Sequence, residues 1–289
     1  MAESVQAFDK LWISSDGTNY TALEFLEGSA IGLNETFINP DGICGTRQES
    51  AERTRRGPRS VVGTLIFAPV AGELDLLLPW ILGADEATNV FALAENLPAR
   101  YFKTSRDGTR HVYDGCKVNR ATFQFAEGAP MTLAVELAGV DEGDGGTEPA
   151  DGISDDAGPY VLSDAVLTLA SAEYAFRAGT LVVDNFLEPK WNNSLTPTSI
   201  RATKLQVGVN LTLPHGDASA LYGSSVSGIA GSVAFTNGSR SCTFNLAGIQ
   251  APKQPLGFGG RGARDLVWQG MARRTGSTAP ISVTNDSTG

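Results

Sequence analysis

The chain has 289 residues, 42% of them apolar, and a formal charge of −10 from 22 basic and 32 acidic side chains. That balance argues against a general nucleic-acid binder, which carries a basic face, and the apolar share is enough for a packed core. With 33 glycines, 14 prolines and no apolar run of 18 residues, a turn-rich β protein without a membrane helix is expected.

The opening MAESVQAFDKLWISSDG has neither the basic nor the apolar segment of a secretion signal. Cys44, Cys116 and Cys242 are odd in number and far apart, so neither a disulfide framework nor a zinc site is expected. Synthesis in a reducing cytoplasm follows. Leu11–Ile13, Tyr20–Phe25 and Ser29–Phe37 have the pattern of three strands. The first ends in the turn cluster Ser14-Ser15-Asp16-Gly17, and the third ends at Asn39-Pro40-Asp41-Gly42. Residues 43–60 break the pattern. They hold Arg47, Arg53, Arg55, Arg56 and Arg59 with almost nothing apolar. A loop this long without its own core is either a solvated excursion or a projecting arm that meets a neighbour.

Val61–Ala68 is the next strand, stopped by Pro69. Residues 72–83 predict a helix with acids in its first turn and Gly83 as its C-cap. Pro79 should bend or shorten it, and its nearly continuous apolar surface should lie against a sheet. A β-meander follows: Arg100–Ser105, the turn Asp107-Gly108, strands through His111–Asn119 and Thr122–Phe125, and the alternating strand Met131–Leu137. Residues 141–158 carry seven acids and five glycines and no base, the composition of an exposed linker. They lack the spacing of a calcium loop.

The second half repeats this grammar. Ala165–Leu169 and Tyr174–Phe186 are strands, residues 187–199 form a long polar loop, and Lys204–Leu213 is a strand stopped by Pro214. Residues 218–222 suggest a helical turn. Ile229–Thr236 and Ser241–Leu246 form a hairpin about Asn237-Gly238, residues 254–263 a glycine-rich loop, and Asp265–Ala272 and Pro280–Asn285 the last strands. At an offset of 145, Arg56 meets Arg201, Val62-Gly63 meets Val207-Gly208, Pro69 meets Pro214 and Leu76 meets Leu221. Leu137-Ala138-Gly139 also matches Leu246-Ala247-Gly248 at a shorter offset. The shared order of elements suggests an internal duplication.

Little suggests chemistry. His111 and His215 are isolated, no nucleophile elbow, zincin helix or phosphate loop occurs, and the paired acids lie in the linker. The four tryptophans, Trp12, Trp80, Trp191 and Trp268, are scattered like core or interface residues. Neither an enzyme nor a cofactor or metal is expected.

Within residues 111–140, Tyr113, Gly115, Cys116, Val118, Asn119, Gly128, Pro130 and Gly139 form a pattern that resembles the tail tube proteins of long-tailed, siphovirus-type bacteriophages. The strand and leucine-rich helix of residues 63–82 and the strand opening at Ser163-Asp164-Ala165 are similar too. The resemblance spans residues 25–250. It implies a mainly β fold of tandem tail-tube-type sandwich or barrel domains, each with a short flanking helix and a long projecting loop. The domains would be residues 1–140 and 159–289, joined by linker 141–158. It further implies a virion tail subunit that stacks in rings around a DNA channel and meets tape measure, tail terminator and distal tail proteins. With two domains per chain, three chains would complete a ring, six chains being the alternative. Arg47, Arg53, Arg55, Arg56, Arg59 and Trp191 are the expected inter-subunit contacts, with the arginines facing acids near residues 141–156 of the next ring. The other class considered is a carbohydrate- or receptor-binding β-sandwich module of a tail tip.

Overall fold

The computed structural model describes residues 9–39, 51–150, 157–214, 221, 228–253 and 265–288. It is mainly β, with nineteen strands and one α-helix among the described residues. The first half holds β1 (Lys10–Ser14), β2 (Thr21–Leu23), β3 (Ala30–Ile38), β4 (Arg55–Phe67), helix α1 (Ala71–Leu82), β5 (Val90–Ala92), β6 (Arg100–Arg106), β7 (Thr109–Ala126), β8 (Thr132–Gly139) and β9 (Asp141–Asp144). The second holds β10 (Ala165–Leu169), β11 (Ala172–Tyr174), β12 (Ala178–Asp184), β13 (Leu187–Lys190), β14 (Ser199–Ala202), β15 (Gln206–Pro214), β16 (Ile229–Asn237), β17 (Arg240–Gln250), β18 (Asp265–Arg273) and β19 (Ile281–Asp286).

The pairing scheme of the first half recurs in the second. The ladder β2-β1-β6-β7-β9 matches β11-β10-β16-β17-β19. The ladder β3-β4-β8-β7 matches β12-β15-β18-β17. In each half one long strand, β7 or β17, belongs to both ladders. Both central hairpins have two-residue turns with left-handed backbone: Asp107 (φ 48°) and Gly108 (φ 78°) lie between the paired Arg106 and Thr109, and Gly238 (φ 64°) lies between the paired Asn237 and Arg240.

The register of the repeat differs from the sequence match. Val62 is 43% exposed and Val207 is 2% exposed, so they point to opposite faces of their sheets, and a slip of one residue reverses every side chain. Counted from the hairpin turns through the strand pairs, Val118↔Leu137↔Gly63 corresponds to Ile249↔Ala272↔Val207. Gly63, not Val62, therefore stands where Val207 stands. The Leu-Ala-Gly match likewise joins strands of different position, β8 and β17.

The meander is more continuous than its sequence suggests, since His111–Asn119 and Thr122–Phe125 belong to one 18-residue strand. The polar loop 187–199 contributes the β13–β14 hairpin, and the acidic segment opens with β9, paired to His111–Asp114. Arg55 and Arg56, read as loop, lie at the start of β4. The suggested turn at 218–222 lies outside the described residues except Leu221, and so does the glycine-rich loop 254–263.

Helix α1 runs three residues past Pro79 and ends on Gly83, whose φ of 101° gives the left-handed cap. Its buried Glu73 replaces a missing N-cap side chain: Oε2 accepts from Val70 N (3.3 Å) and Oε1 from Glu24 N (3.1 Å). The helix also ties the two ends of the chain together. Asn285 of β19 donates through Nδ2 to Ala71 O (2.8 Å) and to Asp75 Oδ1 (2.6 Å). The core is one contiguous cluster from Leu11 to Val283. Around Trp80 and Phe102 (ring centroids 5.0 Å apart) it serves the first half, and around Phe125, Phe235 and Phe244 it serves the second.

Candidate assembly surface

Three features could carry intermolecular contact: a seam between the halves, a flat outward sheet face, and a projecting arm.

The seam is β7 against β12. Seven residue pairs run from Ala126↔Ala178 to Arg120↔Asp184, so the first half's β8–β7 ladder continues without a break into β12-β15-β18. The inward side chains there are Phe123 and Leu181, both essentially buried, and Phe123 lies edge-on to Phe244 of the second half at 4.8 Å. Gly179 allows the strands to meet, because a β-carbon there would overlap the Phe125 ring. Arg120 closes the seam with bonds to Asp184 Oδ2 of 3.0 Å from Nε and 2.7 Å from a terminal nitrogen. That carboxylate raises the affinity of the Arg120 guanidinium for its proton.

The motif that carried the family resemblance sits beside this seam. Tyr113 is buried and its hydroxyl donates to Ile31 O (3.3 Å). Gly115 has φ 65°, and a side chain there would strike Val140. At this point β7 leaves one ladder for the other. Cys116 is buried against Gly139, and burial pushes its thiol well above the ordinary range. Asn119 receives the second half: its Oδ1 accepts from Leu187 N (3.0 Å) and its carbonyl accepts from Asn185 N (2.8 Å). The motif is therefore structural. It sets the bend of β7 and anchors the hairpin that follows β12.

The outward face belongs to β4-β8-β7-β12-β15-β18. Paired positions put Ile66, Ala134, Thr122, Val182, Gly208 and Met271 on it, with Gln124, Thr180, Asn210 and Gln269 one step along. The opposite side of the same strands is core. Uncharged side chains dominate the outward face, and they include the exposed aliphatics Val62, Val267 and Met271. Arg120 reaches Glu136 (3.7 Å) as well as Asp184, so these three charges offset one another, while Asp265 and Arg273 stand at the ends of β18 on the same face. The acidity of the chain is carried elsewhere.

The arm is the outer part of β3 and β4. Val61–Thr64 has β8 on one side and β3 on the other, whereas Arg55–Ser60 has β3 as its one ladder partner. Near its end Phe37 is 63% exposed and Ile38 56% exposed, an unusual placement for large apolar side chains on a paired strand. Arg53, Arg55 and Arg56 are exposed along it, and Arg56 lies 3.4 Å from Glu35. Arg47 lies outside the described residues.

Arg59 and Trp191 meet each other within one chain. Trp191 Nε1 donates to Arg59 O (3.0 Å), Arg59 N donates to Leu195 O (2.8 Å), and the Arg59 guanidinium binds Asp141 Oδ2 (2.9 Å). The tip of the β13–β14 hairpin is thus docked on the base of the arm, and Asp141 is already engaged by an arginine of its own chain. From the sequence these two residues are expected to contact another subunit; in the structure they are partners within one chain. The sequence does not single out Phe37, Ile38 or the seam. Phe37 and Ile38 looked like ordinary strand residues, and pairing between distant strands leaves no local pattern.

No cluster of metal-ligating side chains occurs among the described residues, and no helix is long and apolar enough to cross a membrane. A protein-family model described as "Phage tail tube protein" matches residues 13–284. No curated protein matches the chain.

Proposed function

The chain belongs to the phage tail tube protein family, and we propose that its two halves act as successive units of a single ring of the tube. Membership makes it a structural, self-assembling component of the virion tail. The finer reading concerns how rings close and what they enclose. It rests on one observation: the β7–β12 seam joins two units of the same strand pairing into a continuous sheet. A duplicated chain that already contains one unit-to-unit joint needs three copies for six units. The joint between chains then repeats the seam, with β3 of each chain in the role of β12. Among the described residues β3 pairs only with β4, and a strand edge without a ladder partner is a ready template for addition beyond Ile31, whose carbonyl Tyr113 and Arg106 already hold. Closing the ring removes that edge.

In such a ring the outward face of β4-β8-β7-β12-β15-β18 becomes the wall of the channel. A wall of threonine, glutamine, asparagine and aliphatic side chains, with Arg120 paired to Glu136 and Asp184, gives a polyanion few fixed cations to bind, so DNA passes without being held. Tape measure protein fills the lumen before DNA does, and terminator and distal tail proteins cap the tube ends. The test is a cryo-electron microscopy map of tubes grown from the purified chain. Hollow tubes whose inner wall carries Gln124, Asn210 and Gln269 are expected. Tubes that place these three residues on the outside would overturn the assignment of the channel face.

A further inference from the structure

We propose that residues 145–150 act as a latch that holds the connection between the halves down on the first half, so that each second half pairs with the first half of its own chain. The inference rests on the observed β7–β12 seam and not on how rings close.

The acid-rich segment after β9 is not a free linker. It crosses the side of β1, β6 and β7 that is turned away from the core, and it is bonded at almost every step. Gly145 N donates to Arg110 O (3.2 Å), and the Arg110 guanidinium donates to Gly146 O (3.3 Å). Lys103 Nζ donates to Thr147 O (3.1 Å) and Trp12 Nε1 to Ala150 O (3.1 Å). The Glu148 carboxylate lies between Lys10 (2.6 Å) and Arg110 (3.3 Å). Gly145 lets the segment lie this close, since a β-carbon there would come within 2.7 Å of the Arg110 β-carbon. Under this cover Trp12 is 1% exposed, although Leu11 and Ile13 on either side of it belong to the core and it does not.

The internal repeat supplies the comparison. Counted from the two hairpin turns, Lys103 and Arg110 fall on Ala234 and Ser241. Trp12, the partner of Lys103, falls on Val166, the partner of Ala234. The second half therefore builds the same sheet without the tryptophan and without either cation, and Val166 is 47% exposed. The fold does not require these cations. They stand where an acidic strap is held.

The connection is also clamped at its far end. Met131 N donates to Tyr160 O (2.7 Å), and Asn237 Nδ2 donates to Gly158 O (3.1 Å). From Ala150 to Ala157 there are seven Cα steps, roughly 25 Å when fully extended. A half of about 140 residues is roughly 35–40 Å across. The latched connection is too short to carry a second half past its own first half to another copy. With the strap released, the free stretch runs from Asp144, which β7 still holds, to Ala157. Its thirteen steps reach roughly 45 Å. The same β7–β12 seam can then form between two chains, which is the condition for domain swapping.

The experiment traps the seam in the full, unassembled chain. Thr122→Cys and Val182→Cys face each other across it, within reach of a disulfide, and Cys44→Ser removes a competing thiol. The protein is unfolded in urea, refolded at rising concentration, oxidised, and run on a denaturing gel without reductant. With the strap intact, the disulfide is expected within one chain at every concentration. In Lys103→Ala with Arg110→Ser, which copies the second half, covalent dimers are expected, their share doubling with each doubling of concentration while it is small. Hydrogen exchange over residues 145–150 should quicken in the same variant. Glu148→Lys alters the strap alone, leaves the sheet untouched and should give the same dimers. Disulfides that stay within one chain in both variants would overturn the proposal, as would equal dimer formation with the strap intact. Unchanged exchange over residues 145–150 would overturn it too, because these contacts would then not be what holds the strap.

Discussion

The two halves of this chain share one strand-pairing scheme and treat their long loops differently. In the second half the loop between β12 and β15 folds into a hairpin whose tip is docked: Trp191 and Leu195 bond to the main chain of Arg59. In the first half the loop between β3 and β4 forms an arm with Phe37 and Ile38 in water. The cores differ as well. The first is built around a helix and Trp80, and the second around phenylalanines that include Phe123 and Phe125 of β7. The difference has a physical origin. The second half has the first half beside it in the same chain, so its edge and its loop are covered. Among the described residues the first half has no such strand beside β3, and its edge and the apolar side chains of its loop are left uncovered.

The largest effects should come from the cores, and they test whether the halves are one cooperative unit. Trp80→Ala removes a fully buried side chain whose indole donates to Cys116 O (2.9 Å), and Phe244→Ala removes the ring that meets Phe123 across the seam. Each is expected to cost about 3–5 kcal/mol. Because the core is contiguous, calorimetry should show a single transition lowered by either change. Two transitions, each sensitive to one substitution, would show that the halves melt separately.

A smaller effect is expected at the joint. Gly179→Val drives a side chain into Phe125 and should destabilise by about 1–3 kcal/mol through overpacking, measured as a lower midpoint in urea. Unchanged stability would mean that the strands do not approach as closely as described. Smaller again is Trp191→Phe, which keeps an aromatic ring and loses the bond to Arg59 O. A loss of about 0.5–1.5 kcal/mol is expected, and faster hydrogen exchange at Arg59 and Leu195 would report the loosened hairpin. The smallest effect on stability belongs to the arm. Reversing Arg53, Arg55 and Arg56 to Glu should leave the unfolding midpoint within about 0.5 kcal/mol of the wild type while halting tube growth in light-scattering assays. Normal growth would remove these arginines from the assembly contact.

Much of this was legible in the sequence because it is local. The helix announced itself through its acidic first turn and Gly83, and the two central hairpins through Asp107-Gly108 and Asn237-Gly238. The alternation of Met131–Leu137 marked β8 correctly. What was missed is non-local or depends on one residue of register. Arg55 and Arg56 read as loop because nothing apolar accompanies them, yet β3 extends beside them as their ladder partner. The identities at an offset of 145 looked like the repeat, but they join an exposed valine to a buried one. The repeat is carried instead by strand pairing, which tolerates almost complete change of side chains. The pairing of β7 with β12 has no signature in either strand, since both show only the alternation of any half-buried strand.

The central claim is that the two halves are successive units of one ring, so the most direct measurement is the number of chains per ring in tubes of the purified protein. Cryo-electron microscopy of end-on and side views gives it from the rotational symmetry and the mass per ring. The account predicts threefold symmetry, three chains, and six similar units alternating around the wall. Six chains per ring, with only one half of each in the wall, would contradict it.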